Sequence, residues 1–246
     1  MTETELKARL KTVTPPDEAA RAAAHAHWAA LAKPLGGLGQ LETMLEDAAA
    51  LTGSAELDFS HRAVLVLCAD NGVVAQGVSQ TDASVTRAVA VNLAARRTSV
   101  CRMAAAARCT VVPVDMGIAG APVPGVVDCR VAPGTRDFTE SAAMTRAEAV
   151  QAVAAGIALV RAQKAQGMQL LATGEMGNGN TTTSSAVAAV LLGRPAAEMT
   201  GRGAGLSDAG LRRKIDAIER GIAVNHPDAA DPLDVLAKPL GGLGQL

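Results

Sequence analysis

The chain has 246 residues, which is enough for one large domain or two smaller ones with a sizeable core. Its net charge is −1, it has no dense run of lysine or arginine, and Trp28, Phe59 and Phe138 are its aromatic residues, so the composition argues against nucleic-acid binding. The sequence shows neither a signal peptide nor a long apolar span, and we therefore expect a cytoplasmic protein without a membrane partner.

The first 55 residues are predicted to form helices, before any strand begins. Residues 2–13 alternate charged and apolar positions, as a surface helix does. Thr14-Pro15-Pro16-Asp17 combines a hydroxyl cap, proline in the first turn and an acid, and it starts a helix that we expect to end near Ala32. A loop rich in glycine and proline follows, and Leu41 to Leu51 resumes a helix. These elements predict a smaller helical lobe over residues 1–55.

The remainder alternates strands and helices. Continuous apolar runs predict buried parallel strands at Ala63–Cys68, Thr110–Val114 and Met168–Ala172, and Val126–Val131 is a candidate edge strand. A long helix is expected from Thr145 to Lys164. This order predicts an α/β domain over residues 56–236, with a doubly wound, mainly parallel, Rossmann-like sheet and ligand loops along one edge.

The stretch Gly174-Glu175-Met176-Gly177-Asn178-Gly179-Asn180-Thr181-Thr182-Thr183 links the last predicted strand to a helix. Glycines permit close backbone approach, and the amides of residues 180–183 at a helix N-terminus would attract phosphate. The spacing resembles a P-loop, but Asn180 stands where the lysine would be, so a nucleoside triphosphatase is not indicated. A purely structural glycine turn remains the alternative. The acid Glu175 inside an anion loop needs a chemical reason.

The cysteine and histidine positions do not predict a metal site. His25 and His27 lie two apart on one helix and therefore point to different faces. The four cysteines lack Cys-x-x-Cys spacing and are expected to be reduced, small buried hydrophobic residues: Cys68, Cys101, Cys109 and Cys129.

Residues 31–41 and 236–246 are identical, both reading LAKPLGGLGQL, and nothing between them repeats. A structural repeat would recur with a period, so we interpret this one as a recent duplication, a recombination join or an assembly artefact. A loop-forming segment at a terminus has little to pack against. We therefore expect residues 237–246 to be poorly ordered.

Seven stretches together resemble one enzyme family. They are residues 33–42 (KPLGGLGQLE), Ala69-Asp70-Asn71-Gly72-Val73, Val78-Ser79 with Val85-Thr86, Asp115-Met116-Gly117, Thr135-Arg136-Asp137-Phe138, Gly174 to Thr182, and Thr200-Gly201-Arg202-Gly203. Their order and approximate spacing are similar to the nicotinate-nucleotide–dimethylbenzimidazole phosphoribosyltransferases of cobalamin biosynthesis. The resemblance covers about residues 10 to 236, and the GEMGNGNTT stretch is its most specific part.

The resemblance implies that nicotinate mononucleotide and 5,6-dimethylbenzimidazole give α-ribazole 5′-phosphate and nicotinate, with inversion at the anomeric carbon. It implies small-molecule substrates, a homodimer, and no metal or cofactor. Glu175 would stabilise an oxocarbenium-like transition state. The donor and its phosphate would be bound by Gly177, Asn178, Gly179, Asn180, Thr181, Thr182, Gly201, Arg202, Gly203 and Lys214. The acceptor would be bound by Asp70, Ser79, Gln80 and Thr81.

Two departures from the family pattern bear on activity. The family usually has a Tyr-Pro pair after the position of Ser79, and this chain has Gln80-Thr81-Asp82, which leaves the accepted base open. The family's general-base glutamate lies in a Gly-Glu-Gly motif that this sequence does not contain. We therefore expect a chain that lacks the family's C-terminal part. The alternatives to an active transferase are a non-catalytic module that binds a nucleotide or phosphate, and an inactive fragment.

Overall fold

The structure is a computed structural model that describes residues 1–240. Two compact units divide the chain, one of Lys7–His61 and one of Met1–Leu6 together with the chain from Arg62 onward. The strands are β1 (Arg62–Ala69), β2 (Thr110–Gly117), β3 (Val127–Asp128) and β4 (Leu170–Met176). The helices are α1 (Glu3–Leu10), α2 (Glu18–Ala30), α3 (Gln40–Thr52), α4 (Ser84–Ala94), α5 (Ser99–Ala106), α6 (Arg146–Ala165), α7 (Asn180–Leu192), α8 (Ala196–Met199), α9 (Asp208–Asn225) and α10 (Pro232–Val235).

The smaller unit is built on the pair of helices α2 and α3. Asp17 caps α2 by accepting hydrogen bonds from the amides of Ala19 and Ala20, so the acid of the predicted start signal, not Thr14, forms the cap. The loop before α3 is held by Glu42, which pairs with Lys33 at 2.8 Å and accepts from the Leu38 amide at 2.9 Å. The lobe boundary predicted at residue 55 lies a few residues before the end of this unit at His61.

The larger unit contains a four-stranded parallel sheet in the order β3-β2-β1-β4. Central β1 pairs with both neighbours, and Leu65 lies between Val112 and Thr173. Helices cover both faces: α4 and α5 pack around Val66 and Cys68, while α6 packs around Leu65. The predicted doubly wound α/β fold is confirmed.

Several boundaries differ from the sequence prediction. Strand β4 continues to Met176, so Glu175 lies in the strand and not in the loop that follows it. The glycine turn is therefore only Gly177 to Gly179, and α7 begins directly after it. Helix α6 begins as predicted, because Thr145 and Glu148 form a reciprocal capping box. Strand β3 is the predicted edge but spans only two residues.

A third cluster of buried residues, which includes Phe138, joins the 72–78 segment to α7 and α9. Gly221 of α9 lies directly beside this ring, since a Cβ there would stand 2.1 Å from Phe138. This packing fixes the position of α9, which carries Lys214. In the part of the chain that the structure describes, no helix has the length and apolar character needed to cross a membrane.

The tail that we expected to be poorly ordered, residues 237–246, is described only as far as residue 240. Residues Leu236–Leu240 form a π-helical turn. The carbonyls of Ala237 and Lys238 accept hydrogen bonds from the amides of Met144 and Ala143, and Ala237 is buried. This first part of the tail therefore packs on the larger unit, whereas residues 241–246 lie outside the described residues.

Candidate anion-binding site

A cavity of 240 Å³ lies beside the carboxyl end of β4. Three segments and one residue of α9, Lys214, line it; the segments are the loop before α4, the glycine turn with the start of α7, and the loop before α9. The lining residues are Val78, Ser79, Gln80, Asn178, Gly179, Asn180, Thr181, Arg202, Gly203, Ala204, Leu206 and Lys214. Residues assigned from sequence to the donor and to the acceptor thus face the same space.

Lys214 is the buried cation of this cavity. Its side chain is 1% exposed, and its ammonium donates to the Thr181 hydroxyl at 2.7 Å and to the Gly201 carbonyl at 3.1 Å. Burial lowers the pKa of Lys214 from its ordinary value of 10.5, and no carboxylate within residues 1–240 forms an ion pair with it. Two of its three N–H groups are used, so a charged donor remains for a ligand. A buried, unpaired ammonium at a cavity favours an anion.

Thr181 extends this site. Its oxygen accepts from Lys214, which leaves its own hydroxyl hydrogen to donate. The neighbouring backbone is less available than the sequence suggested: the amide of Asn180 donates to the Gly177 carbonyl at 3.1 Å, and that of Thr182 donates to Gly179 at 2.9 Å. The anion donors at this helix start are therefore side chains more than backbone amides.

Two glycines permit the tight geometry. A Cβ at Gly177 would stand 2.2 Å from the carbonyl oxygen of Ala69, so only glycine allows the turn to cross the end of β1. Gly203 has φ +57°, and a Cβ there would stand 3.0 Å from the Thr181 hydroxyl.

Arg202 lines the cavity, but its guanidinium is partly occupied. It donates to the Leu206 carbonyl at 2.9 Å and pairs with Asp208. Gly201 contributes through its carbonyl, which holds Lys214. The predicted Gly201-Arg202-Gly203 segment therefore shapes the cavity wall and positions its cation.

Glu175 is not among the residues that line the cavity. It lies at the end of β4, where it accepts a hydrogen bond from the side-chain amide of Asn180. One side of Glu175 is open to solvent. Desolvation by the surrounding protein nevertheless raises the pKa of its carboxyl above 4.5, and the hydrogen bond from Asn180 opposes that shift. Asn180 thus links Glu175 to the cavity.

The residues predicted to bind the acceptor separate into two groups. Ser79 and Gln80 line the cavity, and Gln80 donates to the Gly205 carbonyl at 2.5 Å. Thr81 does not line the cavity, and its hydroxyl accepts a hydrogen bond from the Asn178 side chain at 2.8 Å. Asp70 is buried elsewhere: its carboxylate accepts from the Ala119 amide at 2.9 Å, which makes it a loop-organising residue in this structure.

Thr182 is fully buried on the inner face of α7, outside the lining of the cavity. The sequence prediction gave no binding role to Val78, Ala204 or Leu206, although Val78 belongs to a stretch that carried the family resemblance and Ala204 adjoins Gly203. Asn71 and Thr86 form hydrogen bonds with the backbone of Asn178 in the glycine turn. Both occur in the stretches that carried the family resemblance.

A larger cavity of 420 Å³ lies between β1, β4 and α6. Its lining is mostly Leu, Val and Ile, so it has no cluster of donors for an anion. Within residues 1–240, no three His, Cys, Asp or Glu side chains are grouped so that they could hold a metal ion.

Comparison with known proteins shows the family to which the chain belongs. The sequence matches the phosphoribosyltransferase family over residues 13–244. It is 45% identical over 234 residues to a nicotinate-nucleotide–dimethylbenzimidazole phosphoribosyltransferase of Roseiflexus castenholzii, with 92% of this chain and 66% of that protein covered. The protein of the same name from Ruminiclostridium cellulolyticum is 45% identical over 213 residues, which cover 86% and 60%. The crystal structure of CobT from Thermus thermophilus superposes with a TM-score of 0.84 at 40% identity, covering 91% of this chain and 67% of that one. The chain thus spans about two thirds of the length of these relatives.

Proposed function

Since the chain belongs to the nicotinate-nucleotide–dimethylbenzimidazole phosphoribosyltransferase family, we propose that it transfers the phosphoribosyl group of nicotinate mononucleotide to 5,6-dimethylbenzimidazole. The products would be α-ribazole 5′-phosphate and nicotinate. The observation that carries this proposal is the buried Lys214 ammonium, which donates to Thr181 at a cavity that Ser79 and Gln80 also line.

In this proposal the donor's 5′-phosphate occupies the space beside Lys214. The ammonium supplies charge and one N–H group, and Thr181 supplies its hydroxyl hydrogen. Charge-assisted hydrogen bonds of this kind are about twice as strong as neutral ones. Gly177, Gly179 and Gly203 have no side chain, so the backbone at these positions can approach the donor closely.

The chemistry is a displacement at the anomeric carbon. The bond from C1′ to the pyridinium nitrogen breaks, and its electron pair leaves with the nitrogen, so the departing ring is neutral and needs no general acid. A ring nitrogen of the acceptor forms the new bond with its lone pair. In the transition state positive charge develops on the sugar, and the Glu175 carboxylate would stabilise this charge electrostatically.

The acceptor's N–H proton must pass to a base, and we assign none of the described residues to this step. Loss of a general base typically costs about 10²–10⁴-fold in rate. The second candidate function is therefore a module that binds nicotinate mononucleotide without turning it over. The buried Lys214 ammonium at the cavity supports this second candidate, because an anion site needs no proton acceptor.

Two measurements distinguish these functions. Calorimetry with nicotinate mononucleotide tests binding, and chromatographic detection of α-ribazole phosphate tests transfer. We expect binding and slow product formation. If the folded chain binds the donor but forms no product, the transferase function is wrong and the binding module remains. If the folded chain does not bind the donor, both candidate functions are wrong.

We further propose a cytoplasmic homodimer that contacts only small-molecule ligands, with neither nucleic acid nor membrane as a partner. The near-neutral charge, the lack of basic runs and the family membership support this. Light scattering coupled to size-exclusion chromatography gives the mass, and two chains per particle are expected.

A further inference from the structure

Asn178 makes more connections than any other residue of the glycine turn. Its side-chain amide donates to the Thr81 hydroxyl at 2.8 Å and to the Asp82 carbonyl. Its backbone amide donates to the Thr86 hydroxyl at 3.3 Å, and its carbonyl accepts from the Asn71 side chain at 2.8 Å. The turn is thereby tied to the end of β1, to the loop before α4 and to α4 itself.

The anchors on one side of Asn178 are buried, and those on the other side are exposed. Thr86 is 0% exposed and Asn71 is 5% exposed, so they form a fixed base. Thr81 and Asp82 are exposed members of the loop whose preceding residues, Ser79 and Gln80, form one wall of the cavity. Asn178 therefore joins a rigid base to a wall that has few other supports.

Besides those of Asn178, two side-chain contacts within residues 1–240 tie this loop to other segments. Gln80 donates to the Gly205 carbonyl, and Arg213 donates to the carbonyl of Gly77 at the start of the loop. The contacts of Ser79 with Thr81 and of Asp82 with Ser84 lie within the loop or at the start of α4. Both N–H groups of the Asn178 amide are used in holding the loop, so neither is left for the donor.

We propose that Asn178 is a positioning residue that holds residues 79–82 as the acceptor wall of the cavity, and that it is not a ligand of the donor phosphate. The claim that residues 79–82 face the acceptor rests on the proposed function. The claim that Asn178 holds these residues in place depends only on its hydrogen bonds. Releasing the amide leaves the wall free to move, while Lys214 and Thr181 keep their hydrogen bond.

Hydrogen-exchange mass spectrometry of the full chain tests the positioning directly. Asn178→Ala removes both side-chain donors, and Thr81→Val removes the acceptor while keeping the shape of the side chain. We expect exchange in peptides covering residues 79–84 to increase about fivefold in Thr81→Val, which loses one neutral hydrogen bond, and by a larger factor in Asn178→Ala, which loses two. The matched control is Asn92→Ala, because the exposed Asn92 side chain bonds only within α4, to Ala88.

Equilibrium binding of the two substrates to the same variants completes the test. Weaker binding of 5,6-dimethylbenzimidazole with unchanged binding of nicotinate mononucleotide supports the proposal. Unchanged exchange at residues 79–84 overturns it, as does a loss of donor affinity in Asn178→Ala that Thr81→Val does not share. If Asn178→Ala does not fold, Thr81→Val alone decides through exchange. A wild-type chain that binds no acceptor counts against the proposed function, and the exchange result still decides the positioning role.

Discussion

At the scale of single residues, we expect the Lys214 ammonium to determine how the cavity responds to an anion. Replacing it in Lys214→Ala should raise the dissociation constant of nicotinate mononucleotide about 10–100-fold, the usual cost of a hydrogen bond to a charged group. Arg212→Ala is the matched control, since Arg212 is an exposed cation on the same helix. Calorimetry measures both. Equal affinities for the two variants would show that Lys214 has only a structural role.

The lowered pKa of Lys214 adds a pH dependence to this prediction. In the proposed function the protonated form binds the phosphate, so donor affinity should fall as the pH rises through the pKa. Because burial places that pKa below 10.5, the fall should begin at lower pH than an ordinary lysine would cause. In Lys214→Ala this alkaline loss of affinity should disappear.

Glu175 should affect turnover more than affinity. In the proposed function the carboxylate acts on charge that develops only in the transition state, so we expect Glu175→Gln to lower turnover about a hundredfold and to change the donor dissociation constant little. The raised pKa of Glu175 means that turnover should rise with pH through a value above 4.5, and the glutamine variant should lack that acidic limb. The chromatographic assay measured against pH tests this, and an unchanged profile would remove Glu175 from the mechanism.

At the scale of elements, the glycine turn crosses β1 so closely that a methyl group cannot fit at Gly177. Gly177→Ala should displace the turn, cost about 1–3 kcal/mol of stability as overpacking does, and weaken donor binding. In Gly174→Ala the added Cβ would meet its nearest atom at 3.9 Å, an ordinary contact. Denaturant unfolding measures the stability of both variants, and calorimetry measures their donor affinity. The comparison distinguishes the steric effect at Gly177 from a general effect of replacing glycine by alanine. Equal stability of the two variants would contradict the prediction.

Local sequence patterns predict the start of helix α6 correctly but not the end of strand β4. Thr145 and Glu148 start α6 where the sequence placed it, because a capping box depends only on residues three apart. Glu175 was assigned to a loop because glycines on both sides weaken the strand pattern. Pairing with Leu67 of β1 extends β4 through this residue, and such a ladder depends on a strand about a hundred residues away.

At the scale of the whole molecule, Arg146 connects distant parts of the larger unit. It pairs with Glu3 near the N-terminus at 2.7 Å and with Asp231 before α10 at 2.8 Å. Arg146→Gln should lower Tm at pH 7 by about 1–3 °C, since both ion pairs are partly exposed. Arg161→Gln, on the same helix and exposed, is the control.

The pH dependence of this effect follows from Asp231. Its hydrogen bond with Arg146 lowers the pKa of the Asp231 carboxyl below 3.8, so the stabilisation is present above that value and is lost as the pH falls through the lowered pKa. The Tm difference between wild type and Arg146→Gln should therefore shrink in acid. Calorimetric melting at several pH values measures it, and a difference that persists in strong acid would rule out this ion pair as the cause.

By itself the sequence determined the alternation of buried strands and helices, the family, and the glycine turn before α7, because periodicity, capping and motif spacing are local properties of the chain. Only the tertiary structure decided that Lys214 meets Thr181, that Ser79 and Gln80 face the same cavity, and that Asp70 is directed into a neighbouring loop instead. These contacts join residues that are far apart in the sequence. They depend on how α9 packs around Phe138 and how β4 pairs with β1, and neither packing nor pairing is encoded in a local pattern.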